Sequence, residues 1–322
     1  MRTISLPDVP YGSTAVRPGW SDLPESLREA VAARLDGPVV TVKPAGGGFT
    51  RAFAALVTTA DGVTGFVKAA PRPDPTSDWY AREAFITSRL PAAVAAPRPL
   101  WTMVESDHFV LCLEPVDGHV PALPWSPPEL GAALSAWSTA AEALAVPSRD
   151  LLEAGVPALA DIVRGEMSWW TEISAGREPM PRTAHGTVAP TRLAHLARLE
   201  QELPALVAGS ALMHGDLRVD NVLIDRAGHA LLCDWTWPCL GAPWFDTVTL
   251  LVTAFASGLD ADGCLAGWNA PAEGVDGALA ALAGYWLVRA DGGPSSASPH
   301  SRQHQRFSGE QALAWLADRR GW

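Results

Sequence analysis

Strand-forming sequence in this chain is confined, with one exception, to a block that ends near residue 118. From Val39 the short runs "VVTVKPA", "AFAALVTTADG" and "VTGFVKAA" succeed one another, separated by glycine clusters and by the Asp61-Gly62 pair that favours a tight hairpin. Three antiparallel strands in a row are expected. A proline-rich break, "PRPDPTS", leads into "DWYAREAFITSRL", which has helical spacing up to Pro91, and two more β-like runs follow, "PRPLWTMVES" and "HFVLCLEPV". Strand signals then stop at "DGHVPALPWSPP". Beyond it the spacing is helical in "PELGAALSAWSTAAEAL", "ALADIVRGEMSWWTEI", "TRLAHLARLEQELPALV", "WFDTVTLLVTAFASG", "VDGALAALAGYWLVR" and "SGEQALAWLADRR". The exception is "NVLIDRAGHALLCDW", read as a hairpin of two short strands. Ahead of the sheet block, "SDLPESLREAVAARLDG" predicts a helix with an Asp22 to Glu25 capping pair and a closing Gly37. The organisation expected is a 1–38 extension carrying that helix, a sheet-rich lobe over 39–117, and a helical lobe over 118–322.

At 322 residues the chain exceeds the usual size of a single core, in keeping with two lobes. A hydrophobic fraction of 48% and mean hydropathy of +0.08 are those of a folded protein, far from the signature of disorder. A net charge of −11 argues against a nucleic-acid partner, which needs a basic face, and would suit a cationic small substrate as well as plain solubility. The start of the sequence lacks the apolar core of a signal peptide. The longest apolar run, "ALAALAGYWLV" from Ala278, is too short to span a bilayer, so no membrane and a cytoplasmic location are expected. Cys112, Cys233, Cys239 and Cys264 show neither a CxxC pair nor zinc-site spacing and are expected to be free thiols.

Positive charge is placed almost entirely with Arg: only Lys43 and Lys68 among 24 basic residues are Lys. Lys68 closes the apolar strand "VTGFV", where a compact ammonium can face inward toward phosphates. Some twenty residues earlier "AGGGFTRAF" places Gly46, Gly47, Gly48 and Thr50 in a turn whose amides can approach phosphates. It is no P-loop, since no Gly-Lys-Ser or Gly-Lys-Thr occurs. Glu83 lies in the helix that follows and can pair with Lys68; it gains meaning from the order of glycine turn, strand Lys, helix Glu and the hinge-like "LEPVDG" containing Glu114. In "MHGDLRVDNVLI", Asp216 and Asn221 bracket a short loop, and Asp234 ends the hairpin's second strand 18 residues after Asp216. Phosphoryl transfer needs a carboxylate to take the proton of the attacking hydroxyl and oxygen ligands to hold Mg²⁺. Asp216 fits the first task, and Asn221 with Asp234 the second.

Those residues carry a resemblance. His214-Gly215-Asp216 to Asn221 matches the HGDxxxxN loop of the aminoglycoside phosphotransferase family, small-molecule kinases with a protein-kinase-like fold; Asp234-Trp235 stands where kinases have DFG, and "GAPWFD" resembles the family's Gly-x-Pro-x-x-Asp segment. The resemblance spans roughly residues 40 to 255. It implies an α+β bilobal fold with a small antiparallel-sheet N-lobe and a large helical C-lobe. It also implies ATP with Mg²⁺ (GTP not excluded) near Lys68, Glu83 and Glu114, and Asp246 bracing the catalytic loop. The acceptor would be a hydroxyl of an aminoglycoside-like or other antibiotic or metabolite, and the protein a monomer or homodimer. A primary-metabolite kinase, for an amino alcohol, sugar or amino acid, and a catalytically silent nucleotide-binding module stand as alternatives. A helical interaction scaffold is a third reading, which predicts no nucleotide binding.

Position 218 departs from the family in being Arg, a guanidinium two residues after the base that would reach the transferring phosphoryl group. The segment "VRGEMSWWTEISAGREPMPRTAHG", where the family builds its acceptor site, shows no anionic cluster; Glu166, Glu172 and Glu178 are read first as a solvated face. Trp169, Trp170, Trp235, Trp237 and Trp244 flank the expected cleft, most of them as core. His185, His195, His229, His300 and His304 have no partnered spacing and receive no role. Only 11 residues separate Asp234 from Asp246, too few for a protein kinase's activation segment.

Overall fold

The structure is a computed structural model and describes residues 3–185, 188–293 and 296–322. Gly186, at the end of the expected acceptor segment, and two residues of the loop "DGGPSSASP" lie outside the described residues.

A helix α1 (Glu25–Arg34) precedes strands β1 (Val39–Pro44), β2 (Phe53–Thr59) and β3 (Thr64–Pro71), then helix α2 (Pro75–Thr87) and strands β4 (Pro99–Glu105) and β5 (His108–Leu113). The five strands form one antiparallel sheet in the order β1-β2-β3-β5-β4. Residues alternate between its two faces. On β3, Val67 and Ala69 join Leu27 and Val31 of α1 in one apolar cluster, while Ala70 joins Tyr80 and Ala84 of α2 in another. Lys68 therefore stands on the face that α2 covers.

Two local details depart from expectation. Asp22 does not cap α1: its Oδ2 accepts the Gly19 amide at 2.7 Å in a preceding turn, and Pro24 occupies the cap without a side-chain bond. Helix α2 starts earlier than its apolar spacing suggests because Asp74 accepts the Thr76 amide at 2.8 Å and Pro75 opens the first turn. Capping residues had been hidden in what read as a proline-rich break.

After Glu114 the chain pairs a two-residue strand β6 (Gly118–His119) with the expected hairpin and continues into helices α3 (Pro127–Ala143), α4 (Arg149–Leu152), α5 (Leu159–Glu166), α6 (Trp169–Ser174) and α7 (Pro190–Leu206). Strands β7 (Ala211–Met213), β8 (Val222–Asp225), β9 (Ala230–Leu232) and β10 (Cys239–Gly241) follow, then helices α8 (Trp244–Ala256), α9 (Ala261–Leu265), α10 (Ala272–Ala290) and α11 (Ser301–Arg320). β8 and β9 are the expected hairpin, whereas the three-residue pair β7 and β10 is too short to leave a pattern. "ALADIVRGEMSWWTEI" is two helices, not one. Buried Glu200 of α7 caps α6 from a distance, its Oε1 accepting the Trp170 amide at 3.1 Å and its Oε2 the Thr171 amide at 2.9 Å.

The long apolar run is α10, buried almost all round, as a helix at the centre of a helical core must be. Trp137, Trp170, Trp235 and Trp315 are fully buried in that core, so of the five tryptophans near the cleft only Trp237 is substantially exposed. All four cysteines are free. Among the described residues no helix is long and apolar enough to cross a membrane. The fold is α+β, an antiparallel-sheet N-lobe joined to a helical C-lobe as in protein kinases.

Candidate active site

A cleft of about 1380 Å³ runs between the sheet and the helices, and every residue expected at a site lines it. Lys68 Nζ donates to both oxygens of Glu83, at 2.8 and 2.6 Å, because α2 lies over its face of the sheet. Asp234 Oδ1 stands 3.6 Å from the same nitrogen. Burial opposes the ammonium, but Glu83 and Asp234 outweigh it and raise the Lys68 pKa. Burial raises Glu83 to about 7, and the Lys68 ammonium against both oxygens opposes that rise. Burial works against Asp234 too, yet Lys68 and the Thr236 hydroxyl, 2.9 Å from Oδ1, hold it below the usual carboxylate range.

The loop from β7 to β8 is built around buried polar groups. Asp246, near the start of α8, accepts the His214 amide at 2.7 Å and the Gly215 amide at 3.2 Å. The Asp216 amide donates to His214 Nδ1 at 3.3 Å, so the ring's proton is on Nε2, which donates to the Cys233 carbonyl at 3.0 Å. Burial lowers His214 to about 4 and keeps it neutral. Gly215 has φ +79°, and a Cβ there would lie 1.9 Å from the Trp237 carbonyl oxygen, so no other residue fits. The loop is thereby locked to the backbone that follows Asp234.

Asp216 emerges with a quarter of its side chain exposed to the cleft. The Asn221 amide donates to its backbone carbonyl at 2.7 Å and to Oδ2 at 3.3 Å, and Arg218 donates to Oδ1 at 2.6 Å. Burial raises Asp216 to about 7; Arg218 opposes that and the neighbouring Asp220 adds to it. Arg218 is not an outer-surface residue: Asp220, 8% exposed, grips its Nε and Nη2 edge at 3.0 Å on each oxygen. Two carboxylates hold the guanidinium from opposite edges.

The glycine turn is held from outside the sheet. The Ala15 amide donates to Gly46, and Arg17 donates to Gly47, Thr50 and Ala52, while Gly48 adopts φ +92°. Tyr11 of the same segment meets the ring of His304 edge-on at 4.3 Å. Glu114 lines the cleft, but its backbone amide is already bonded to Arg98. Tyr11, Arg17, Asp220 and His304 are cleft residues that sequence reading passed over. Their contacts join distant segments, and only the acidic density of "DLRVDN" hinted at Asp220.

Among the described residues no three His, Cys, Asp or Glu side chains form a metal cluster. Asn221 and Asp234 are both oxygen donors in the cleft, and an amide with one carboxylate suits Mg²⁺, which binds few protein ligands and completes its shell with phosphates and water. The donor set fits.

The model of the phosphotransferase enzyme family matches residues 41–290, and the chain belongs to that family. No curated protein matches it in sequence. Among solved structures, a thermostable mutant of the aminoglycoside phosphotransferase APH(4)-Ia, apo form, aligns with TM-score 0.63 at 14% identity over 90% of this chain and 98% of its own. A variant of it in ternary complex with AMP-PNP and hygromycin B gives 0.57 at 15% identity over 91% and 98%. The macrolide 2'-phosphotransferase MphH from Brachybacterium faecium gives 0.56 at 15% over 88% and 97%. At these identities the likeness is one of fold.

Proposed function

We propose that this protein transfers the γ-phosphoryl group of ATP to a hydroxyl of a small molecule, an aminoglycoside-like or other antibiotic or metabolite. The observation that carries the reading is the convergence, in one cleft, of the Lys68–Glu83 ion pair, Asp234, and Asp216 braced by Asn221. Lys68, fixed by Glu83, would hold the α- and β-phosphates, with the glycine turn above them. Asn221 and Asp234 would hold Mg²⁺, which when bound neutralises charge on the phosphates. Asp216 would orient the acceptor hydroxyl and take its proton, and Arg218 would keep that carboxylate aligned and its charge favoured. The product is a phosphate ester. The lobes divide the work, residues 39–117 binding nucleotide and 118–322 supplying the loop and acceptor wall.

The test is Asp216→Asn. Transfer should fall by roughly 10²- to 10⁴-fold while calorimetry returns an unchanged affinity for ATP. Retained transfer would remove Asp216 from its role, and absence of ATP binding in the native protein would remove the reading altogether.

A further inference from the structure

The net charge of −11 invites a cationic acceptor, yet the cleft does not share that balance. Its carboxylates are committed one by one. Glu83 faces Lys68, Asp220 grips Arg218, Asp216 faces Arg218 and Asn221, and Asp234 faces Lys68 and Thr236. Asp74 caps α2, and Glu114 accepts the Arg98 amide. Among the described residues, of the acidic side chains lining the cleft only Glu166 is left, exposed at the end of α5.

The wall around Glu166 is apolar. Leu282, Tyr285 and Trp286 lie at i, i+3 and i+4 on α10 and so share one face, and Ile162 and Met167 at the α5 end line the same cleft. Tyr285 feels the charges of both Asp216 and Glu166, and all three line the one cleft. Arg289, one turn further along the same face, stacks on the Tyr285 ring at 4.5 Å, adding positive charge. His304, 3% exposed, also lines the cleft, and burial, opposed by the Val9 backbone, lowers its pKa to about 4 and keeps the ring neutral. A polycation entering here would bring several ammonium groups against Arg289 and Arg218 with a single carboxylate to compensate, and would lose hydration to an apolar wall.

We infer that the acceptor is a hydroxylated molecule with an apolar face and no more than one cationic group, seated on the α10 wall with any ammonium at Glu166. The inference rests on the phosphotransfer reading above and narrows its acceptor class. Overall charge is no guide here, because the acidic excess lies outside the cleft.

The experiment compares kcat/KM, with ATP and Mg²⁺, for low-charge hydroxylated compounds (a macrolide with one amine, a neutral nucleoside) against the polyamine hygromycin B. The low-charge set should be favoured by about 100-fold, with little dependence on ionic strength. Trp286→Ala, and the less buried Tyr285→Ala should the first not fold, ought to raise the acceptor KM about tenfold and leave the ATP KM unchanged. Binding is read in parallel, without turnover, as displacement of an apolar fluorescent dye from the ADP-loaded protein. Equal or better use of hygromycin B, no dye binding, or displacement by polycations alone overturns the inference. Failure of the phosphotransfer reading looks different: ATP itself does not bind.

Discussion

Arg218 Nη1 donates to Asp216 Oδ1 at 2.6 Å while Asp220 holds the guanidinium's other edge at 3.0 Å. The contact lowers the proton affinity that burial gives the proposed base. Burial drives Asp216 up to about 7 and Arg218 is the largest opposing influence. A proton acceptor must be ionised, so kcat/KM should climb with pH through about 7. Arg218→Ala removes the opposing charge and moves that limb to higher pH; a rise of about one pKa unit lowers the ionised fraction, and with it the rate, at neutral pH by roughly fivefold. Arg218→Lys should move it less. A pH–rate profile decides, and a limb that stays in place in the Ala variant would free Asp216 from Arg218's control.

Lys68 and Glu83 should show their partnership as stability. Glu83 is 2% exposed, so Lys68→Met strands a buried carboxylate and should cost about 3 kcal/mol, as breaking one side of a buried pair does. Adding Glu83→Leu removes the stranded charge and should recover most of that loss without recovering transfer. Urea unfolding and a transfer assay on the same three proteins separate the two effects; a double variant no more stable than Lys68→Met would mean that the pair does not behave as a unit.

Much of this site was legible because phosphate chemistry demands particular residue types at short spacing. Asp216, Asn221 and Asp234 sit within a loop and one hairpin, and Lys68 stood out in a chain that otherwise uses Arg. The sheet was legible from period-2 runs and the Asp61-Gly62 turn, which the β2–β3 register bears out. What escaped depends on contacts between distant segments. Glu200 splits one expected helix by capping α6 from α7, and His304, read as unpartnered, reaches the cleft because α11 folds back toward Tyr11. Arg218 stands against Asp216, two residues away in the loop, but its capture by Asp220 depends on a side-chain direction that spacing cannot give.

Glu200 should leave a mark on stability against pH. Burial raises it from 4.5 to about 8, although the Trp170 and Thr171 amides pull the other way. The native state therefore binds the extra proton between those two values. Stability from this group is fully present below 4.5 and is lost as pH rises through about 8, with a slope reaching about 1.4 kcal/mol per pH unit. Asp216 and Asp246, both raised to about 7, slope the same way, so the wild-type curve alone cannot isolate it. Glu200→Gln does not titrate. Its Tm should be lower at acid pH, because the double cap is impaired, and should decline less than wild type as the solution becomes alkaline; parallel Tm curves would mean Glu200 is ionised throughout.

The last prediction concerns Arg17, which reaches from the N-terminal segment to the glycine turn. Nη1 donates to Thr50 Oγ1 at 2.9 Å and to the Ala52 carbonyl at 3.0 Å, and Nη2 donates to the Gly47 carbonyl at 3.0 Å. Glycines give the turn its shape but no side chains with which to hold it, so ordering depends on such outside contacts. Arg17→Ala should let the turn fluctuate and raise the KM for ATP by about fivefold, with the acceptor KM unchanged. Lysine should not rescue it. A single ammonium on a flexible stem cannot reproduce a planar fork that meets three acceptors at once. Steady-state kinetics on Arg17→Ala and Arg17→Lys check both statements: full rescue by Lys would make charge, not fork geometry, what the turn needs, and an unchanged ATP KM in the Ala variant would mean that the strands on either side hold the turn unaided.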